Sequence, residues 1–252
     1  EQSVQDESQL ATLESAAKCA TRAVELDGGT MASLEVATSA LYALTQSYRN
    51  EMAREQDPAV QKTYGERAKR SAEQVGQVLR TLREKFPTSP LAAKGMVRFE
   101  LAEGNYAKGA SLAAELIRKS EADDPELYLL AARAFYAKGE VSDLKEAERY
   151  LGELIRRNAN YIPAYRQLAQ LYESQRESGL AINTLRQALE MEPGNLVVVF
   201  ELAQLFERSG QHTNAMGIYR SVLAGIPAQE RSPGAAGVYA AATMALANVM
   251  LG

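Results

Sequence analysis

Along the first third of the chain, apolar residues return every three or four positions: Leu10, Leu13, Ala17, Ala20 and Val24, then Leu34, Ala37, Leu41, Leu44, Tyr48 and Met52. That spacing lays one stripe along a helix, so it predicts helices over about 5–26 and 30–56, with Asp27-Gly28-Gly29 as the stop between them. Asp57-Pro58 reads as the cap and first-turn proline of a third helix, which continues to Lys85 before the breaker Phe86-Pro87-Thr88-Ser89-Pro90. At about 1.5 Å per residue the second and third helices would each be about 40 Å long. Beyond Pro90 the segments shorten to about 14 residues and are punctuated by Gly104, Asp124-Pro125, Gly139, Pro163, Gly179, Pro193, Gly210 and Pro227. Glycine and proline alternate as breakers. Short helices are therefore expected in pairs, with a tight glycine turn inside each pair and a proline turn between pairs. No segment alternates with the period of two that strands need, so the chain is expected to be all-α.

The short segments repeat. QLAQLYESQRESGLA (167–181) returns as ELAQLFERSGQHTNA (201–215), 34 residues later. Tyr165, Leu168, Ala169, Tyr172, Ala181, Leu185, Ala188 and Pro193 map onto Val199, Leu202, Ala203, Phe206, Ala215, Tyr219, Val222 and Pro227, and each keeps its character. This pattern resembles the tetratricopeptide repeat, a helix–turn–helix unit with an aromatic, a leucine, a small residue and a tyrosine on its first helix. Ala169 and Ala203 are expected where two helices cross, Ala181 and Ala215 opposite them, and Tyr172 and Phe206 in the wider space beside the crossing. Upstream the match fades. Residues 125–161 keep Tyr128, Ala132, Phe135, Gly139, Ala147 and Leu151 but insert three residues in the turn, while 90–124 place Ala93, Val97 and Glu100 at core positions. The resulting organisation is long N-terminal helices over 1–89 as a degenerate, extended repeat, then repeats 90–124, 125–161, 162–195 and 196–229. Residues 230–252 form a capping helix or the first helix of a further repeat. The fold implied by the resemblance is a right-handed α-solenoid.

Composition removes several kinds of chemistry. A net charge of −4 and a pI near 5.4 give no positive field for a phosphate backbone, so nucleic acid is not expected as the main partner. The single cysteine, Cys19, and the single histidine, His212, leave no disulfide, no multi-cysteine zinc site and no paired-histidine motif. Cys19 is expected as a small core residue on the first stripe, and His212 as a partly buried turn residue. No glycine-rich phosphate loop follows a strand. The reading is therefore non-catalytic, with no cofactor and no metal. Arginine in excess of lysine amid much alanine suggests a GC-rich bacterial source, with cytoplasm and periplasm both compatible. The start at Glu1 without a basic-then-apolar leader is expected of a trimmed piece or a mature form.

The resemblance also points to a surface. In proteins with this repeat, the first helices line a groove that meets a peptide or a partner helix. The corresponding residues are Lys94, Arg98 and Leu101, then Leu129, Arg133 and Tyr136, then Arg166, Gln170 and Glu173, then Phe200, Gln204 and Glu207. Lys94, Arg98, Arg133 and Arg166 would make a basic stripe, and Leu129, Tyr136 and Phe200 would add apolar anchors, a mixture suited to an acidic protein or peptide. The lysine–asparagine clamp that grips acidic chaperone tails is absent: Arg98 and Leu130 replace its asparagines, and Pro163 and Gln167 its basic pair. Gly95, Leu130, Gln167 and Glu201 make no asparagine ladder. Residues 232–252 carry no charged side chain. They are only weakly apolar for a membrane span, and predict either more chain or self-association that a charge at Val238 or Leu246 would disrupt. The functional expectation is a protein-binding scaffold or adaptor, with a bacterial envelope or motility assembly as its suggested setting. The alternatives are a regulatory or substrate-presenting arm of a larger enzyme, or a self-assembling scaffold.

Overall fold

The computed structural model describes residues 2–119, 124–225 and 233–251. Among these residues the chain forms twelve α-helices and no strand: α1 (Gln2–Leu26), α2 (Met31–Arg54), α3 (Pro58–Lys85), α4 (Pro90–Ala102), α5 (Tyr106–Lys119), α6 (Pro125–Lys138), α7 (Val141–Arg157), α8 (Ile162–Ser174), α9 (Ser178–Met191), α10 (Leu196–Arg208), α11 (His212–Gly225) and α12 (Pro233–Leu251). The fold is an all-α solenoid of helix–turn–helix repeats preceded by long helices. The chain divides into two compact units, Glu1–Lys119 and Ser120–Gly252. The division falls after the α4–α5 pair and not at residue 89, because α4 is built into the long helices.

In the first unit α2, α3 and α4 each begin at a side chain that satisfies an orphan backbone donor. Ser33 N–H donates to Thr30 Oγ1, Ala59 N–H to Asp57 Oδ1 and Ala92 N–H to Ser89 Oγ, and Pro58 and Pro90 occupy first-turn positions where no donor is lost. The stripe expected on α2 is buried at Leu34, Ala37, Leu41, Leu44 and Tyr48 and half-buried at Met52, and α3 buries Ala68, Ala72, Val75, Leu79 and Leu82. Thr45 and Ser71 sit inside this packing, where Thr45 donates to Leu41 O at 2.7 Å and the two hydroxyls lie 2.8 Å apart. Helix α4 closes on α3 through two glycines. A Cβ on Gly95 would stand 2.6 Å from Leu79 Cδ2, and one on Gly76 would stand 2.9 Å from Phe99 Cζ. Arg49 on α2 then reaches Glu103 at 2.6 Å. Cys19 is exposed, against expectation. The buried stripe of α1 runs through Leu10, Ala17 and Ala20, and Cys19 lies off it.

The second unit carries the repeats. Ala169 and Ala203, Ala181 and Ala215, Leu168 and Leu202, and Leu185 and Tyr219 are all buried, and most of them share one core with Tyr165, Val198 and Phe206. Val199, the counterpart of buried Tyr165, is half-buried and packs against the same core, as half-buried Tyr172 does beside its buried counterpart Phe206. Pro227 lies outside the described residues. Two local expectations change. The three extra residues of 125–161 do not lengthen a turn: they extend a helix, since α7 has 17 residues where α9 and α11 have 14. The left-handed residue in the α8–α9 turn is Arg176 (φ 64°), the position equivalent to Gly210 (φ 75°), while Gly179 lies inside α9. His212 opens α11 and is exposed. Helix α12 packs on α11 and contributes Ala242, fully buried, with Ala245, Leu246 and Val249 against the core. The side chain of Val238 lies outside the described residues. No helix of the described residues is long and apolar enough to cross a membrane.

Candidate functional site

The first helices of successive repeats in the second unit are tied by polar side chains one repeat apart. Arg133 on α6 donates from Nε to Gln167 Oε1 on α8 at 3.1 Å. Arg166 on α8 grips Glu201 on α10 through two guanidinium nitrogens, Nε standing 2.8 Å from Oε2 and Nη2 donating to Oε1. Glu173 and Arg208 make the reverse pair, with Arg208 Nη2 donating to Glu173 Oε2 at 3.0 Å. A two-pronged guanidinium–carboxylate contact fixes orientation as well as distance. Between these ties lies a cavity of about 390 Å³, whose lining includes Arg133, Gln167, Gln170, Glu201, Gln204 and Arg208. The Glu201 carboxylate holds the Arg166 guanidinium above its ordinary pKa.

Within that frame the expected groove residues separate. Arg133, Arg166, Gln170, Glu173 and Gln204 line the cavity. Leu129 is buried at 6% exposure and belongs to the packing of α6, so it offers no anchor at the surface. Phe200 is half-buried and leans on Tyr219 with ring centroids 5.9 Å apart, and Tyr136 is half-buried. Glu207 faces α11: together with burial, the larger effect, its carboxylate pushes the Tyr219 phenol up. Lys94 and Arg98 belong to α4 in the first unit, half-buried and exposed respectively. Leu101, on the same helix, packs over Gly109. The basic stripe is thus not a stripe of free charge, since Arg166 is neutralised by Glu201. The sequence reading missed Glu201, Arg208 and Gln167 as members of the site. Their signal was available: Arg166 with Glu201, and Glu173 with Arg208, are opposite charges 35 residues apart, and Arg133 and Gln167 stand 34 apart.

Two tyrosine–carboxylate contacts lie outside the cavity. Tyr172 donates to Glu148 at 2.8 Å, and Tyr48 donates to Glu14 at 2.6 Å in the first unit. Burial first, and then the carboxylate, pushes each phenol up to about 12.

Residues 162–195 match the family model for the tetratricopeptide repeat. No curated protein matches the chain in sequence. Among solved structures, a thermophilic tetratricopeptide-repeat protein of Thermus thermophilus is 20% identical with a TM-score of 0.53, the match covering 71% of this chain and 92% of that one. MamA is 16% identical with a TM-score of 0.50, the match covering 62% of this chain and 90% of that one. Human IFIT1, solved as a dimer with PPP-AAAA, is 18% identical with a TM-score of 0.53 over 86% of this chain, but the match covers only 46% of that one. At such identities the likeness is one of fold. Residues 162–195 are thus matched as a tetratricopeptide repeat, with a copy in sequence one period downstream, and the chain shares the fold of these tetratricopeptide-repeat structures.

Proposed function

We propose that the protein is a non-catalytic interaction scaffold, and that the faces of α6, α8 and α10 in the second unit receive a peptide or a segment of a partner protein. The observation that carries this reading is the cavity held open by the ties between first helices: about 390 Å³, lined by polar side chains and built on buried alanines that fix the helix spacing. Gln170 and Gln204 recur one repeat apart, both are exposed, and both line the cavity. The Gln204 amide offers donors and an acceptor together, which is what a peptide backbone requires of a surface, while Gln170, whose carbonyl accepts from Gln167, adds donors. Protein is favoured over nucleic acid as the guest. Two of the three arginines in the cavity are committed to carboxylates and the net charge is −4, so a polyphosphate would meet little unbalanced positive charge.

The reading is tested by placing a photo-crosslinking amino acid at Gln204, with Gln187 on the exposed side of α9 as the control position. Crosslinking in cells of the source organism should give discrete protein adducts from Gln204 and not from Gln187. Equal patterns from both positions would remove the cavity from the account, and RNA adducts specific to Gln204 would replace protein by nucleic acid as the guest.

A further inference from the structure

We propose that α12 of one copy of this chain docks in a trench on the first unit of a second copy, so that copies join head to tail. The proposal stands apart from the guest site on α6, α8 and α10 and uses none of its residues. It starts from α12. No charged residue occurs between Pro233 and Leu251, and a helix that is largely apolar on every side is one that is covered on every side. In this structure only one side is covered. Ala242, Ala245, Leu246 and Val249 pack on the core of the second unit. Ala240, Met244 and Ala247, spaced three and four residues apart on the opposite side, are exposed, and Met250 flanks them at 62% exposure. Helix α10, by contrast, has Gln204 and Arg208 on its exposed side.

The trench lies in the first unit. Helices α1 and α3 both pack on α2 and leave between them a cavity of about 820 Å³. Its apolar lining includes Ala17, Leu41 and Leu44. Its charged residues are Glu14, Lys18, Arg22, Glu25 and Arg67, and four of these five are paired with one another. Arg22 meets Glu25 at 2.5 Å, and Arg67 meets Glu14 at 3.4 Å, where Glu14 also accepts from Tyr48 at 2.6 Å. The fifth, Lys18, is exposed, so its ammonium stays in water while its methylenes border the trench. That pairing selects the occupant. A charge turned into the trench would compete with pairs already made, whereas an uncharged face leaves every one of them intact. The lengths agree as well: at about 1.5 Å per residue, Glu14 to Glu25 on α1 spans about 16 Å and Ala240 to Met250 on α12 about 15 Å. Every copy carries one trench and one such face. Because the two surfaces differ, the contact is heterologous and repeats from copy to copy.

Sedimentation velocity on the whole chain, from about 1 to about 100 μM, tests this. The sedimentation coefficient should rise with concentration. Met244→Glu, which spoils the α12 face, and Thr21→Arg, which puts a bulky cation into the trench beside Lys18 and Arg22, should each weaken association by about tenfold or more. Val141→Glu, at an exposed apolar residue elsewhere, should leave it unchanged. Thermal melts followed by circular dichroism establish that each variant is folded. The deciding sample is a mixture of Met244→Glu with Thr21→Arg: one keeps its trench and the other its α12, so the mixture should form a two-copy complex that grows no further. A parent that stays monomeric throughout, a mixture that stays monomeric, or a loss of association in Val141→Glu would overturn the proposal. Association of Thr21→Arg by itself would also overturn it, by showing that α12 pairs with α12, and association of Met244→Glu by itself would take α12 out of the contact.

Discussion

At Arg176 a single residue occupies a conformation its neighbours in the repeat assign to glycine. Gly104, Gly139 and Gly210 take φ between 75° and 79° at the turn between paired helices, and Arg176 takes 64° at the same place. A side chain with a Cβ is strained there by about 1 kcal/mol relative to glycine. Arg176 is exposed, and among the described residues its side chain makes no hydrogen bond or ion pair that would compensate. Arg176→Gly should therefore stabilise the second unit by about 1 kcal/mol, less the extra entropy glycine brings to the unfolded chain. Chemical denaturation should show the midpoint rising; an unchanged or lower midpoint would mean that the turn carries no strain. The opposite logic holds at Gly95, where the glycine is demanded by the close approach of Leu79 and not by its own backbone angles. Neither position declares its role in the sequence. Only the coordinates separate a turn requirement from a packing one.

Pairs of helices are held by apolar stripes and then keyed by a few polar contacts. Tyr172 on α8 reaches back to Glu148 on α7, and Tyr48 on α2 reaches Glu14 on α1. These contacts require a protonated phenol. Burial and the adjacent carboxylate raise each folded-state pKa to about 12, above the ordinary value of about 10 for an unfolded tyrosine. Their contribution is accordingly complete below about pH 10 and is lost as the pH climbs from about 10 to about 12. Urea midpoints should fall across that window, and Tyr172→Phe, which has no phenol to ionise, should fall less steeply than the parent. A parallel slope in the variant would show that the phenol does not link the two helices. The apolar stripes behind these contacts were readable from spacing. Glu148 was not, because it stands 24 residues from Tyr172 and off the repeat period, and only the packing of α7 against α8 brings it near.

On the scale of the whole molecule, the chain makes two compact units, and the second ends in a helix with no charge. Helix α12 is held by Ala242, Ala245, Leu246 and Val249, while Met244 and Met250 are each 62% exposed. Leu246→Glu would put a carboxylate against the core of the second unit and should cost about 2–4 kcal/mol. The loss should appear in thermal melts as a weakened second unit, with the amide-exchange protection of α11 reduced. Undiminished protection would show that α12 merely rests on the array.

The sequence by itself determined the helices, their pairing and the repeat register, because a small residue at every crossing and an apolar stripe every 3.6 residues or so are local requirements that each copy must meet separately. It also put Arg133, Arg166, Gln170 and Gln204 on one face. The tertiary structure alone decided which of those charges remain available. A guanidinium is neutralised or left open according to what the next repeat sets opposite it, so Arg166 was closed by Glu201 and Arg133 left open beside Gln167. Leu129 and Glu207 passed from expected groove to packing for the same reason: a helix has neighbours on several sides, and one-dimensional spacing does not say which neighbour a side chain meets.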